Sequence, residues 1–127
     1  MKDNIEFRFM DIQDIDAVME IDRQSFPNPW SRETFVRELT FNAHALYLLM
    51  IYERKIIGYC GMWLVADEAH ITNIAVLPEY RGKKLGAALL EKMIEIAKNH
   101  DVTLMTLEVR VSNVVAQKLY EKFGFQI

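Results

Sequence analysis

Apolar and polar residues alternate weakly over Ile5-Glu-Phe-Arg-Phe-Met10, and a period of two predicts a first strand. Asp11 then stands where a helix N-cap is wanted, and Ile12, Ile15, Val18 and Met19, with Phe26 at the far end, predict the apolar side of the helix that follows. Phe26-Pro-Asn-Pro-Trp30 predicts a rigid turn, because proline fixes φ and withholds its donor. Ser31 predicts the N-cap of a second helix carrying Phe35, Val36 and Leu39. Ala45 to Tyr52 and Ile56 to Val65 are apolar runs joined by Glu53-Arg54-Lys55, which predicts a hairpin. Asp67-Glu68 predicts the next turn, and Ala69 to Val76 the third strand of a meander. After Pro78 the period lengthens: Leu85, Leu89, Met93 and Ile96 fall on one side of a helix, flanked by Ile94 and Ala97, ending near Lys98-Asn99. Val102 to Val109 predicts another strand, and Ser112-Asn113 caps a helix running through Lys122. Gly124 is its C-terminal cap, and Phe125-Gln-Ile127 starts a strand.

The order β-α-α-β-β-β-α-β-α-β implies one mixed α/β domain over residues 1–127, a mostly antiparallel sheet flanked by helices. Its chemistry centres on the passage from Ile71 to Ile94, where a β-branched strand breaks at Pro78, crosses the basic loop Arg81-Gly82-Lys83-Lys84 and becomes a helix. The first turn of a helix presents unpaired N–H groups and a partial positive charge. Gly82 and Gly86 let backbone approach a ligand, so the passage reads as an anion cradle. A basic surface turn with no ligand accounts for the same residues. The loop is not a Walker motif, since Gly86 is followed by Ala87-Ala88 and no hydroxyl is placed for magnesium, and it is not a dinucleotide Gly-x-Gly-x-x-Gly.

Composition narrows the classes. A net charge of −3 argues against a general nucleic-acid binder. No apolar run approaches membrane-spanning length and the N-terminus lacks a signal-peptide core, so neither membrane nor export is expected. The one cysteine, Cys60, lies in an apolar strand, where a buried inert thiol in a reducing cytoplasm is expected. His44, His70 and His100 show no metal-ligand spacing, so no metal is expected. Trp30 fits either a core plug or a binding lip.

Two groups could move protons. Glu108 is the one carboxylate in its strand and alternates onto the face of Leu104 and Thr106; it reads as a solvated strand-end residue or as a general base. Tyr120 shares helical spacing with Ala116, Leu119 and Phe123, which suits a core tyrosine or a phenolic acid.

Val76-x-Pro78-x-x-Arg81-Gly82-x-x-Leu85-Gly86-x-x-Leu89-Leu90 resembles the acetyl-CoA signature of the Gcn5-related N-acetyltransferases. Arg81 and Gly86 match the first and last positions of that loop, whereas Lys84 stands where the family usually has glycine; the loop would still serve if Lys84 took ordinary helical angles and pointed its side chain outward. Leu107-Glu-Val-Arg-Val-Ser-Asn-x-x-Ala116-x-x-Leu-Tyr120-x-Lys-x-Gly-Phe125, with Pro29-Trp30-Ser31, is similar to the ribosomal-protein-alanine N-acetyltransferase (RimI-type) group. The resemblance covers nearly the whole chain. It implies the acyl-CoA N-acyltransferase fold, whose last strand is not reached here, so that the exposed sheet edge suits a monomer or a weak dimer. It implies acetyl-CoA as co-substrate and the α-amine of a ribosomal protein as acceptor. Glu108 would be the base, Tyr120 the acid and Asn113 a CoA contact. Ile74, Ala75 and Val76 would hold the acetyl and pantetheine portions and the developing oxyanion, and Arg81, Gly82, Lys83, Lys84, Leu85, Gly86 and Ala87 the diphosphate. Direct attack on the thioester is expected, because no nucleophile–base pair is apparent. Another protein N-terminus or a small amine as acceptor, and a CoA-binding module without catalysis, are the competing readings.

Overall fold

The computed structural model describes residues 4–107 together with Lys118, Tyr120 and Glu121. Its elements run β1 (Ile5–Phe9), α1 (Ile15–Ser25), α2 (Arg32–Phe41), β2 (Ala45–Tyr52), β3 (Lys55–Val65), β4 (Glu68–Val76), α3 (Leu85–Asn99) and β5 (Leu104–Leu107), with single 3₁₀ turns at Ile12–Asp14 and Pro78–Tyr80. The described strands form one sheet in sequence order, β1-β2-β3-β4-β5. The first four pair antiparallel; β5 runs parallel to β4, because α3 crosses over between them.

Local chemistry sets several boundaries. Asp11 caps the 3₁₀ turn, not α1 directly, in a capping box with Asp14, and Arg8 closes on the Asp14 carboxylate. That hydrogen-bonded Arg8 guanidinium, opposed by burial, holds the Asp14 carboxyl below its ordinary range. Ile12 sits on the turn and is exposed, so the buried stripe of α1 is Ile15, Val18, Ile21 and Asp22 instead. Ser31 caps α2 as expected, accepting from Thr34 N–H at 3.2 Å. Tyr52 pairs with Lys55, which confines the first hairpin turn to Glu53 and Arg54, both at positive φ; Val65 pairs with Glu68, so the second turn is Ala66-Asp67.

The sheet separates two packed faces. Tyr59 turns toward α1 and α2, against Phe35 and Asp22. Gly58 turns the other way, where an added Cβ would touch Val76 and Leu89 of α3. Leu85, Leu89, Leu90, Met93 and Ala97 are the buried side of α3; Ala97 rather than Ile96 completes it. Cys60 is fully buried and burial pushes its thiol pKa up, in keeping with an inert core residue. Trp30 is half-buried: its ring rests on Phe35 and Tyr47 at 5.3 and 6.4 Å, so it partly fills the core and partly faces out. Among the described residues no helix is long and apolar enough to cross a membrane.

Candidate active site

The central feature is an irregularity in β4. Gly61 pairs with Asn73 but Met62 pairs with Ile71, so Thr72 is an extra residue, a β-bulge. A bulge bends its strand. Parallel pairing with β5 spans Glu68↔Leu104 to Ile71↔Leu107, the last pair among the described residues, and the bend begins at the next residue of β4. The bulge thus turns the distal part of β4, Asn73 to Val76, just past the last described pair with β5.

Alternation determines which backbone groups lie on that side. Leu77 N–H donates to Ile57 O at 2.8 Å, toward β3. Residues two apart along a strand point alike, so the main-chain groups of Ala75 also serve β3, and those of Ile74 and Val76 turn away from it. Of the three residues expected along an acyl chain, Ile74 and Val76 therefore offer main-chain groups there, while the Ala75 amide belongs to the ladder.

The strand leads into the basic loop. Gly82 has φ +79, a conformation that suits glycine, and a Cβ there would meet nothing within 4 Å. Backbone conformation, not crowding, is what asks for glycine at that position. Lys84 takes left-handed angles (φ 63, ψ 21), so the condition of ordinary helical angles is not met, and it forms the N-cap of α3 without a side-chain bond. The family's usual glycine would occupy the same angles without strain, so the chain keeps the loop shape with a residue that has to be held in it. The first α3 bond runs from Ala88 N–H to Lys84 O at 3.2 Å. The preceding amides, Leu85, Gly86 and Ala87, have no place in the α-helical ladder and project from the helix start. With the macrodipole and the exposed Lys83 and Lys84, they suit a diphosphate.

Arg81 also makes contacts within the protein. Its Nε donates to Val76 O at 2.9 Å, its Nη2 to the Ser25 hydroxyl at 3.0 Å, and its backbone N–H to Pro78 O at 3.2 Å. The guanidinium ties the loop to β4 and to the end of α1. Lys83 and Lys55 approach the Tyr80 ring at 5.8 and 5.7 Å, which gathers positive charge beside the loop.

Tyr120 is buried near Cys60, and burial, with a smaller contribution from Cys60, raises its phenol pKa, so it holds its proton at neutral pH. Glu108 and Asn113 lie outside the described residues. Leu104 and Thr106 are exposed, while Met105 and Leu107 face partly inward.

The face opposite α3 carries polar residues that sequence reasoning passed over. Glu38 accepts from Tyr47 Oη at 2.7 Å, Trp63 Nε1 at 2.8 Å and Asn42 Nδ2 at 2.9 Å. Burial raises its pKa, but these bonds outweigh it and leave the carboxyl below its ordinary range. Asp22 is buried beneath the Trp30 turn and bonded to Tyr59. A signal was present in each case, a carboxylate on the apolar side of a helical period. Among the described residues no three His, Cys, Asp or Glu side chains gather as a metal site.

Comparison with known proteins shows the family. The model of the acetyltransferase (GNAT) family matches residues 15–125. A protein of Bacillus subtilis (strain 168), provisionally named a [ribosomal protein bS18]-alanine N-acetyltransferase, is 48% identical over 99% of this chain and 83% of its own length. The crystal structure of the ribosomal-protein-S18-alanine N-acetyltransferase from Escherichia coli superposes with a TM-score of 0.89 at 33% identity, over 96% of this chain and 77% of that one. The PaiA N-acetyltransferase of Thermoplasma acidophilum, solved in complex with coenzyme A, gives 0.82 at 26% identity over 97% and 90%. The chain therefore belongs to the GNAT acetyltransferase family, as an N-acetyltransferase that uses acetyl-CoA.

Proposed function

We propose that this enzyme transfers acetyl to the α-amine of the N-terminal alanine of ribosomal protein bS18, in the cytoplasm. The observation that carries the reading is its likeness, across nearly its whole length, to proteins named for that reaction. Acetyl-CoA brings an activated thioester; the chain supplies placement, polarisation and proton transfer. The Leu85, Gly86 and Ala87 amides hold the diphosphate, helped by the Lys83 and Lys84 charges. Gly82 allows the loop to close, and Arg81 fixes the loop through Val76 O and Ser25. Ile74 and Val76 main-chain groups line the acyl chain, and one of their N–H groups meets the charge that develops on the thioester oxygen.

An α-amine has a reference pKa of about 7.7–8.0, so near neutral pH a sizeable fraction is already free to attack. Glu108 takes up the remaining proton, directly or through one water. Tyr120 gives its proton to the departing sulfur; a phenol whose ionisation is suppressed by burial is available as an acid across the neutral range. Asn113 adds a contact to CoA. An acetylation screen of ribosomal-protein N-terminal peptides, read by mass spectrometry, tests the acceptor. The expected product is the bS18 peptide; preference for a different N-terminus would replace it. Calorimetric binding of acetyl-CoA with no turnover on any amine would leave a binding module.

A further inference from the structure

One buried carboxylate stands outside this machinery. Asp22, near the end of α1, is 1% exposed, and among the described residues no cation pairs with it. One of its oxygens accepts the Tyr59 phenol and the other accepts the Trp30 backbone N–H at 3.2 Å. The Tyr59 oxygen accepts from Asn73 Nδ2 at 3.0 Å, and the Thr72 hydroxyl donates to Asn73 Oδ1 at 2.6 Å. Thr72 and Asn73 are the bulged pair of β4. Gly61 keeps room for them: a Cβ there would lie 2.5 Å from Asn73 Oδ1, 2.6 Å from Thr72 Oγ1 and 2.4 Å from the Tyr47 ring.

Burying a carboxylate that no described cation neutralises costs free energy that two hydrogen bonds offset only in part, so stability is not what this arrangement delivers. What it delivers is geometry. A single side chain reaches two places far apart in sequence, the turn before α2 and the bulge that bends the distal part of β4. We propose that Asp22 is a positioning residue for acetyl transfer. Through Tyr59 it fixes the bulged pair that aims Ile74 and Val76, and through the Trp30 amide it holds the adjoining turn against the same point. This rests on the reading that Ile74 and Val76 receive the thioester.

Substitution separates the links. Asparagine at position 22 keeps the size but has one acceptor oxygen where the carboxylate has two, so one link breaks. Tyr59→Phe cuts the carboxylate off from Asn73 while the ring still packs on Phe35 at 6.3 Å. The test is steady-state kinetics on the bS18 N-terminal peptide and acetyl-CoA titration for Asp22→Asn, Tyr59→Phe and the double variant, with Ile57→Val as a core control on the same strand. The expected loss in kcat/KM for the peptide is roughly 10- to 100-fold, the scale of a small misplacement at the reacting groups. Acetyl-CoA Kd should move less than about threefold, since the α3 start is untouched, and the double variant should be no worse than the worse single one because both interrupt one chain. Asp22→Asn and Tyr59→Phe proteins that are folded yet within about twofold of wild type, or losses that multiply in the double variant, would overturn the proposal.

Amide hydrogen exchange at Ala75, whose N–H is held in the β3 ladder beside the bulge, gives a readout that needs no acceptor. It should speed up about tenfold or more in Tyr59→Phe and stay unchanged in Ile57→Val. Equal exchange in the two would also overturn the proposal. A wild-type enzyme that ignores the peptide would refute the acceptor reading alone, and the exchange comparison would still decide the role of Asp22.

Discussion

Arg81 Nε donates to the carbonyl oxygen of Val76 at 2.9 Å, so the first cation of the basic loop closes back on the strand that leads into it. A residue in that position acts on the loop before any ligand arrives. Arg81→Ala should lower the melting temperature of the ligand-free enzyme as well as weaken acetyl-CoA, with the loss of two charged hydrogen bonds costing about 1.5–3 kcal/mol, less for the exposed Ser25 contact. Arg81→Lys should not restore it, because an ammonium cannot reproduce the fork that reaches Val76 O and Ser25 Oγ together. Thermal melts with and without acetyl-CoA check this; weakened binding with an unchanged ligand-free melt would make Arg81 a phosphate ligand instead.

Lys84 offers a second measurement. At φ 63 its backbone prefers glycine, so Lys84→Gly should be neutral or stabilising by up to about 1 kcal/mol. Lys84→Val should destabilise by more than about 1 kcal/mol, because a β-branched residue is poorly accommodated there. Urea unfolding of both variants gives the comparison, and a clear loss in Lys84→Gly would show that the lysine side chain contributes something that conformation does not explain.

Asp14 and Asp22 should respond to acid in opposite senses. The Asp14 pKa is lowered, chiefly by the Arg8 hydrogen bond, so its contribution is present above the unfolded value near 3.9 and is lost as pH falls through the folded one. The Asp22 pKa is raised, chiefly by burial, so the folded state binds more protons and stability falls as pH rises from the unfolded value through the folded one. Relative to wild type, Asp14→Asn should therefore lose about 1 kcal/mol at pH 7 and progressively less toward pH 3. Wild type should gain on Asp22→Asn as pH drops from 7 toward 4. Denaturant titrations across that range check both signs.

The base is tested by pH. Glu108→Gln should cut turnover on an α-amine by roughly 10²–10⁴-fold near neutral pH, and the deficit should shrink as pH rises and solvent deprotonates the amine unaided. A deficit that stays constant with pH would remove Glu108 from proton transfer.

Much of this architecture was legible in the chain because it depends on neighbours in sequence. Ser31 capping Thr34, the period of Leu85, Leu89 and Met93, and the meander of three strands are all local patterns. What was not legible depends on distant partners. Arg81 reaches Ser25, the bulge at Thr72 is defined only against β3, and Asp22 takes its partners from β3 and from the turn before α2. The left-handed angles of Lys84 were hidden because lysine is an unusual residue for them.

The position of the transferred acetyl group distinguishes an N-terminal acceptor from a side-chain one. Equal amounts of the bS18 N-terminal peptide and of the same peptide with its α-amine blocked, lysines intact in both, would be offered to the enzyme with acetyl-CoA, and the modified site located by tandem mass spectrometry. Acetylation confined to the free N-terminal alanine is the predicted result. Acetyl on lysine side chains in both peptides, or none on either while a different amine is consumed, would contradict it.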